Sequence, residues 1–178
     1  EIEPGDWSSD VCSSDLEKII AYLKAFGEKH QLETKIDEAG NVLIKKPATK
    51  GMEDRKTVVL QSHIDMVCEK NNDVEHDFLT DPIQTVIDGE WLRAKGTTLG
   101  ADNGIGVATQ LAVLTDDTLK HGPIECLFTV DEETGLTGAF ALKECFGHHN
   151  CRKPRRVIYR AVASLGLPRL RSYGSCGA

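Results

Sequence analysis

The fold is decided by the stretch TVVLQSHID, residues 57–65, in which an apolar run leads directly into a histidine and an aspartate. Residues 57–61 are nearly all apolar, which is typical of a short strand that is buried on both faces. A second run of this kind, residues 124–130, leads directly into three consecutive acidic residues, 131–133. Ligands of open α/β sheets bind beyond the carboxyl ends of the strands, so these polar clusters indicate a functional site.

Helices and hairpins are predicted around the two strands. Apolar spacing and helix-forming residues predict helices over 16–30, from near 103 to 114, and over 138–145. Two hairpins are predicted, one with its turn at Ala39-Gly40-Asn41 and one with its turn at Asp88-Gly89. Strands that alternate with helices predict an α/β fold with a mixed, largely parallel sheet flanked by helices.

Composition excludes several classes of protein. The length of 178 residues fits one domain, and the net charge of -7 argues against a nucleic-acid binder, which needs clustered Lys and Arg. No apolar run reaches the roughly 18 residues of a membrane-spanning helix. The six cysteines form no C-x-x-C pair, which indicates free thiols in a reducing compartment and predicts a cytoplasmic protein without membrane partners.

Both ends of the chain differ from its middle. Residues 7–16 read WSSDVCSSDL, which repeats Ser-Ser-Asp and resembles a translated sequencing adapter, so we interpret 1–16 as an artefact. Residues 147–178 hold seven basic residues and no acidic one, which we interpret as a frameshifted or unrelated tail. The alternative is a basic arm for nucleic acid or anionic lipid. The informative protein is therefore residues 17–146.

The chemistry-bearing residues lie at the strand ends and in one glycine-rich loop. His63 and Asp65 follow the first strand, Asp102 lies in the loop before a helix, and Glu132 and Glu133 follow the second strand. Taken singly, a lone histidine is usually a hydrogen-bonded polar residue, and a run of acids is usually a solvated face. Taken together, one imidazole and several carboxylates suit Zn²⁺, and the acidic cluster could hold two ions.

Spacing suggests separate roles within this set. Residues two apart on a strand share a face, so Asp65 could accept the second ring N–H of His63. Of the adjacent pair Glu132 and Glu133, one could bind metal while the other takes a proton from water. The glycines of the loop match neither the dinucleotide-binding pattern nor the P-loop, so a phosphate site is disfavoured.

Three segments of the sequence resemble one known family. Residues 58–67, 96–106 and 129–135 resemble the aminoacyl-histidine dipeptidases, also called cytosol non-specific dipeptidases. These are two-zinc metallopeptidases, related to carnosinases and aminoacylases. The motifs occur in the same order and at similar spacing, and the resemblance covers about residues 17–146.

The resemblance implies a role for each candidate residue. His63 would ligate one zinc, Asp102 would bridge both ions, and Glu133 would ligate the other. Glu132 would be the general base, and Asp65 would orient His63. Co²⁺ or Mn²⁺ could replace Zn²⁺. A cis peptide bond after Asp102 is also implied.

The sequence departs from the family in its later part. The family's two further zinc ligands, an Asp after the next strand and a late His, are unmatched here, as is its lid domain. We therefore expect a fragment of a zinc-peptidase catalytic domain, poorly active or inactive as written.

The parent protein is expected to hydrolyse dipeptides, with histidine second as the expected preference, by metal-activated water, and to be a homodimer. The alternatives are an amidase or deacylase of the same superfamily and a non-catalytic truncated protein.

Overall fold

The computed structural model describes residues 13–143 and Phe146. The elements in chain order are α1 (Ser13–Lys29), β1 (Glu33–Ile36), β2 (Val42–Lys46), β3 (Val58–His63), β4 (Thr85–Asp88), β5 (Trp91–Ala94), α2 (Ala101–Thr115), β6 (Ile124–Thr129) and α3 (Thr137–Ala141). The sequence predicts each of them, with ends that differ by a few residues.

The two terminal segments singled out in the sequence are almost wholly outside the described residues. Helix α1 begins at Ser13, so residues 13–16 are helical. The remainder of 1–16 and all of 147–178 lie outside the described part of the chain. Both interpretations, the adapter-derived start and the unrelated tail, therefore stay predictions.

Four strands form a mixed sheet in the order β1-β2-β6-β3. Only the β3–β6 pair is parallel, whereas β1–β2 and β2–β6 are antiparallel. The predicted α/β class and mixed sheet are confirmed, but the described sheet is less parallel than the alternation of strands and helices suggests. The physical reason is the tight β1–β2 turn, with Gly40 at φ +96°, which reverses the chain and makes its two strands antiparallel.

A separate hairpin of β4 and β5 lies outside this sheet. Its strands pair antiparallel, and Gly89 adopts φ +62° in the turn. The Asp88-Gly89 signal therefore predicts this hairpin correctly. All four residues of β4 are exposed, so the hairpin contributes little to the core.

The core is built around β6, in which all six residues are buried. Alternate residues of β2 and β6 point to one face of the sheet and contact Leu23 of α1 and Leu114 of α2. Both long helices therefore cover the same face. None of the helices among residues 13–143 combines the length and the apolar character needed to cross a membrane.

The parallel β3–β6 pair positions the candidate site. His63 ends β3 and lies in register with Thr129, which ends β6. The segments that leave these strands therefore start side by side, at the same edge of the sheet.

Candidate metal centre

His63, Glu132 and Glu133 converge at this edge. Each offers a potential ligand atom, and the three atoms lie within 4.8 Å of one another. His63 is only 5% exposed, Glu132 is partly buried and Glu133 is exposed. The strand-end residues that the sequence singles out are thus brought together by the parallel pair of strands.

The His63 ring meets acidic residues on both of its nitrogen atoms. Nδ1 lies 3.0 Å from the backbone carbonyl of Asp65 and 3.4 Å from its carboxylate. Nε2 lies 3.1 Å from Asp102 Oδ1 and 4.0 Å from Glu132 Oε2. The sequence predicts a hydrogen bond from the ring to the Asp65 carboxylate, whereas the ring is hydrogen-bonded to the Asp65 backbone carbonyl and the carboxylate only lies close to it.

Asp65 connects the end of β3 to the loop after β6. Its Oδ2 accepts a hydrogen bond from the backbone N–H of Glu133 at 3.0 Å. Its Oδ1 is buried without a hydrogen-bond partner among the described residues. Asp65 therefore touches two candidate ligands at once, the His63 ring and the Glu133 backbone.

One imidazole ring and several carboxylate groups share the site, so negatively charged groups outnumber positively charged ones. Burial by itself would lower the pKa of His63, but contacts with Asp65 and Asp102 outweigh it and raise the pKa to about 9. Burial raises the pKa of Glu133, and the negative charge of Glu132 acts in the same direction. A cation placed among these groups would relieve both effects.

The start of α2 carries Asp102 to the site. The Asp102–Asn103 peptide bond is cis, as the family resemblance implies. Both residues have non-helical dihedral angles, so regular helix runs from Gly104, which agrees with the predicted start near Asn103. Asp102 contacts His63 but does not belong to the group of three whose ligand atoms lie within 4.8 Å.

Two concavities border the site. A cleft of about 360 Å³ has polar residues such as Gln61 and Thr129 beside His63, and an apolar wall that includes Leu127 and Leu136. A wider groove of about 1080 Å³ lies on the side of Glu133, between the Met66–Asn71 segment and β5. A small polar ligand with an apolar portion could enter the cleft and reach His63.

Sequence reasoning missed Gln61 and Thr129. Gln61 Nε2 donates to Thr129 Oγ1 at 3.0 Å across the β3–β6 pair, and both residues line the cleft. Both lie within segments that resemble the family, residues 58–67 and 129–135, but the resemblance implies no role for either. The alternation of side chains along β3 could have indicated Gln61, because it places Gln61 on the same face as His63.

The donor set fits a divalent metal ion. An imidazole nitrogen and carboxylate oxygens are the ligands that zinc takes in catalytic sites, and cysteine is absent from the group, unlike in most structural zinc sites. The carboxylates of Asp65 and Asp102 raise the pKa of His63, and the charge of Glu132 adds to burial in raising the pKa of Glu133. The residues present are therefore suited to a dication.

Comparison with known proteins agrees with this chemistry. Residues 59–166 match Peptidase family M20/M25/M40. The chain is 56% identical over 127 residues to the cytosol non-specific dipeptidase of Escherichia coli, which covers 71% of this chain. The crystal structure of aminoacylhistidine dipeptidase from Vibrio alginolyticus superposes with a TM-score of 0.71 at 58% identity over 73% of this chain.

A more distant structure shares the same architecture. Aminopeptidase PepT from Bacillus cereus superposes with a TM-score of 0.60 at 28% identity, covering 76% of this chain and 36% of that one. The chain spans about a quarter of the two dipeptidases, at 26% of each. The family match reaches past residue 146, although we interpret residues 147–178 as an unrelated tail, and that boundary stays a prediction.

Proposed function

The chain belongs to peptidase family M20/M25/M40, and on this premise we propose that it forms the metal-binding part of a dipeptidase. The observation that carries the proposal is the convergence of His63, Glu132 and Glu133 at the ends of two parallel strands. The cytosol dipeptidase of Escherichia coli, at 56% identity, supports the reaction class. Hydrolysis of dipeptides is proposed for the whole protein, of which these residues build one part.

Zn²⁺ is the proposed ion, with Co²⁺ or Mn²⁺ as possible substitutes. His63 and Glu133 would hold separate ions, and Asp102, close to the His63 ring, would lie between them. When bound, such ions polarise a carbonyl and make water acidic near neutral pH.

Glu132 is the proposed general base. Its carboxylate lies 4.0 Å from His63 Nε2 and lines the cleft, whereas Glu133 lines the wider groove. In the cleft, Glu132 can accept a proton from the attacking water and deliver it to the leaving amine. Glu133 is left as a ligand, because Asp65 fixes its backbone.

Asp65 is the proposed orienting residue. It contacts His63 Nδ1 through its carbonyl and its carboxylate, which leaves Nε2 directed at Asp102 and Glu132. Second-sphere partners of this kind fix the tautomer and the orientation of a metal-binding histidine. The same carboxylate accepts a hydrogen bond from the Glu133 N–H, so Asp65 positions both proposed ligands, His63 and Glu133.

The proposed substrate is a dipeptide with histidine second, as the name of the Vibrio relative suggests. A cytoplasmic location is proposed from the name of the Escherichia coli relative, and a homodimer is proposed for the whole protein. The second candidate function is an amidase or deacylase with the same metal site. Turnover of acylated amino acids without turnover of free dipeptides would favour it.

The first experiment measures Zn²⁺ binding by the 178-residue chain through competition with a chromophoric chelator. We expect His63→Ala to weaken binding at least about 10-fold, because it removes the only nitrogen ligand of the group. His30→Ala is the matched control, since His30 is exposed in the turn that follows α1. Equal Zn²⁺ affinity in the wild type and His63→Ala would refute the site.

The same experiment continues with dipeptide hydrolysis by a full-length protein that carries these residues. Glu132→Gln is expected to retain zinc while kcat falls by about 10²–10⁴, because a general base is lost and a ligand is not. Glu133→Gln, in contrast, is expected to lose both activity and zinc. Substantial activity in Glu132→Gln would remove Glu132 from the role of base.

A further inference from the structure

We propose that Asn41 is a positioning residue that sets the loop carrying Glu132 and Glu133, although it lies in a different turn of the chain. It acts through the backbone of Val130 and Gly138, at the two ends of that loop. The consequence of this positioning for catalysis rests on the proposed function, whereas the effect of Asn41 on the loop does not.

The Asn41 side chain is completely buried and fully hydrogen-bonded. Its Nδ2 donates to Asp37 Oδ2 at 2.8 Å and to the Gly138 carbonyl at 2.9 Å. Its Oδ1 accepts from the Val130 N–H at 3.1 Å. Its exposure is 0%. A buried amide whose donors and acceptor are all used holds its partners in one arrangement.

The loop between these two partners needs to be held. Asp131 and Leu136 adopt φ of +52° and +63°, a region that residues with side chains rarely occupy. The Gly138 N–H donates to the Val130 carbonyl at 3.2 Å, which closes the loop on itself. Asn41 then bridges the two ends that this bond brings together.

Gly138 permits the close approach that the bridge requires. A Cβ atom at this position would lie 2.6 Å from Asn41 Oδ1 and would also collide with the Val130 carbonyl. Asn41 and Val130 are themselves buried, so both neighbours are confined by the surrounding protein. The absence of a side chain here therefore serves the contact with Asn41.

The turn that presents Asn41 is itself fixed. Asp37 Oδ1 accepts from the backbone N–H groups of Ala39 and Asn41, both at 2.9 Å. Asp37 Oδ2 takes the Asn41 side chain. In the middle of the loop, the Glu133 N–H donates to Asp65. The acidic loop is thus held between Asn41 at its ends and Asp65 at its middle.

The test compares amide hydrogen exchange and Zn²⁺ affinity in the 178-residue chain and its variants. Asn41→Asp keeps the shape but replaces the donating amide with a carboxylate facing Asp37 and the Gly138 carbonyl. We expect amides of residues 130–138 to exchange at least about 10-fold faster in the metal-free chain. We also expect Zn²⁺ affinity to fall about 10-fold, as for other residues that orient ligands.

Two control variants separate positioning from general loss of stability. Glu38→Gln breaks the ion pair with Lys143, an exposed contact of 2.8 Å that joins the Asn41 turn to the residues after α3, and should change neither readout. Leu23→Ala opens the core at a residue of α1 outside the acidic loop, and should lower the melting temperature while Zn²⁺ affinity of the folded chain stays unchanged.

A rescue variant guards against misfolding. Asp37→Asn combined with Asn41→Asp exchanges donor and acceptor within the pair, and should recover part of the exchange protection even if Asn41→Asp alone does not fold. Unchanged exchange at 130–138 in Asn41→Asp, or a loss of affinity in Leu23→Ala equal to that in Asn41→Asp, would overturn the proposal. If the wild-type chain binds no Zn²⁺, the proposed function fails, and the exchange result still decides the role of Asn41.

Discussion

His63 concentrates the chemistry of the site in one imidazole ring. A buried histidine ordinarily becomes less basic, because burial disfavours its charged form. Here Asp65 borders one ring nitrogen, and Asp102 and Glu132 approach the other. The acidic neighbours outweigh burial, and the metal-free ring is expected to carry a proton at neutral pH.

This arrangement predicts a histidine that titrates near pH 9 in the metal-free chain. Since the folded pKa lies above the unfolded value of about 6.5, the stability from charged His63 is fully present below about pH 6.5. It is lost as the pH rises to about 9. The measurement is the NMR titration of the ring protons, assigned by their absence in His63→Gln. A midpoint at or below 6.5 would show that burial outweighs the carboxylates.

At the scale of elements, α2 is anchored at both ends. Its start carries Asp102, and its end is bound by Lys46 of β2, whose Nζ donates to the carbonyls of Val113 and Asp116 at 3.0 and 2.7 Å. A cation at a helix C-terminus satisfies carbonyls that lack helical partners and interacts favourably with the helix dipole. Lys46 therefore fixes α2 against the sheet that carries the remaining site residues.

Lys46→Met is expected to lower the free energy of unfolding by about 1–3 kcal/mol, because two carbonyls lose a charged donor while the apolar stem is retained. Chemical denaturation of the metal-free chain measures this change. Lys50→Met is the matched control, since Lys50 is exposed in a turn. Equal midpoints for the two variants would mean that water replaces the Lys46 contacts without loss.

At the scale of the whole molecule, the two edges of the sheet differ. Edge strand β1 carries Glu33 and Lys35, which form an ion pair at 3.0 Å. Edge strand β3 has an uncharged VVLQS sequence before His63, and Val58 is 52% exposed. Charged residues on an edge discourage pairing with another chain, and β3 has none ahead of its histidine.

We therefore expect the 178-residue chain to self-associate through β3. Val58→Lys should reduce light scattering at a given concentration several-fold, because a charge at the edge opposes strand pairing. The control is Thr85→Lys, which adds the same charge on the exposed hairpin strand β4. A similar reduction in both variants would point to net charge, and not to the β3 edge, as the cause.

Much of the fold follows from local pattern. Apolar spacing predicts α1, and turn residues predict both hairpins, since these signals depend on neighbours in sequence. Adjacency along the chain also places His63 and Asp65 at one strand end and Glu132 and Glu133 at another. The order of the strands in the sheet is not predicted from the sequence, because a β1–β2 hairpin can pair with either neighbouring strand at a similar free energy as judged from local sequence.

Sequence patterns alone predict the elements, the chemical set of one imidazole and several carboxylates, and the family. The contacts of Asn41 with Val130, 89 residues away, and of Asp65 with the Glu133 backbone, 68 residues away, are seen only in the folded chain. In the folded chain, the His63 ring also lies nearer to the Asp65 carbonyl than to its carboxylate. The physical reason is that secondary structure forms from contacts within a few residues, whereas these hydrogen bonds exist only after β3 and β6 pair and bury the groups that make them.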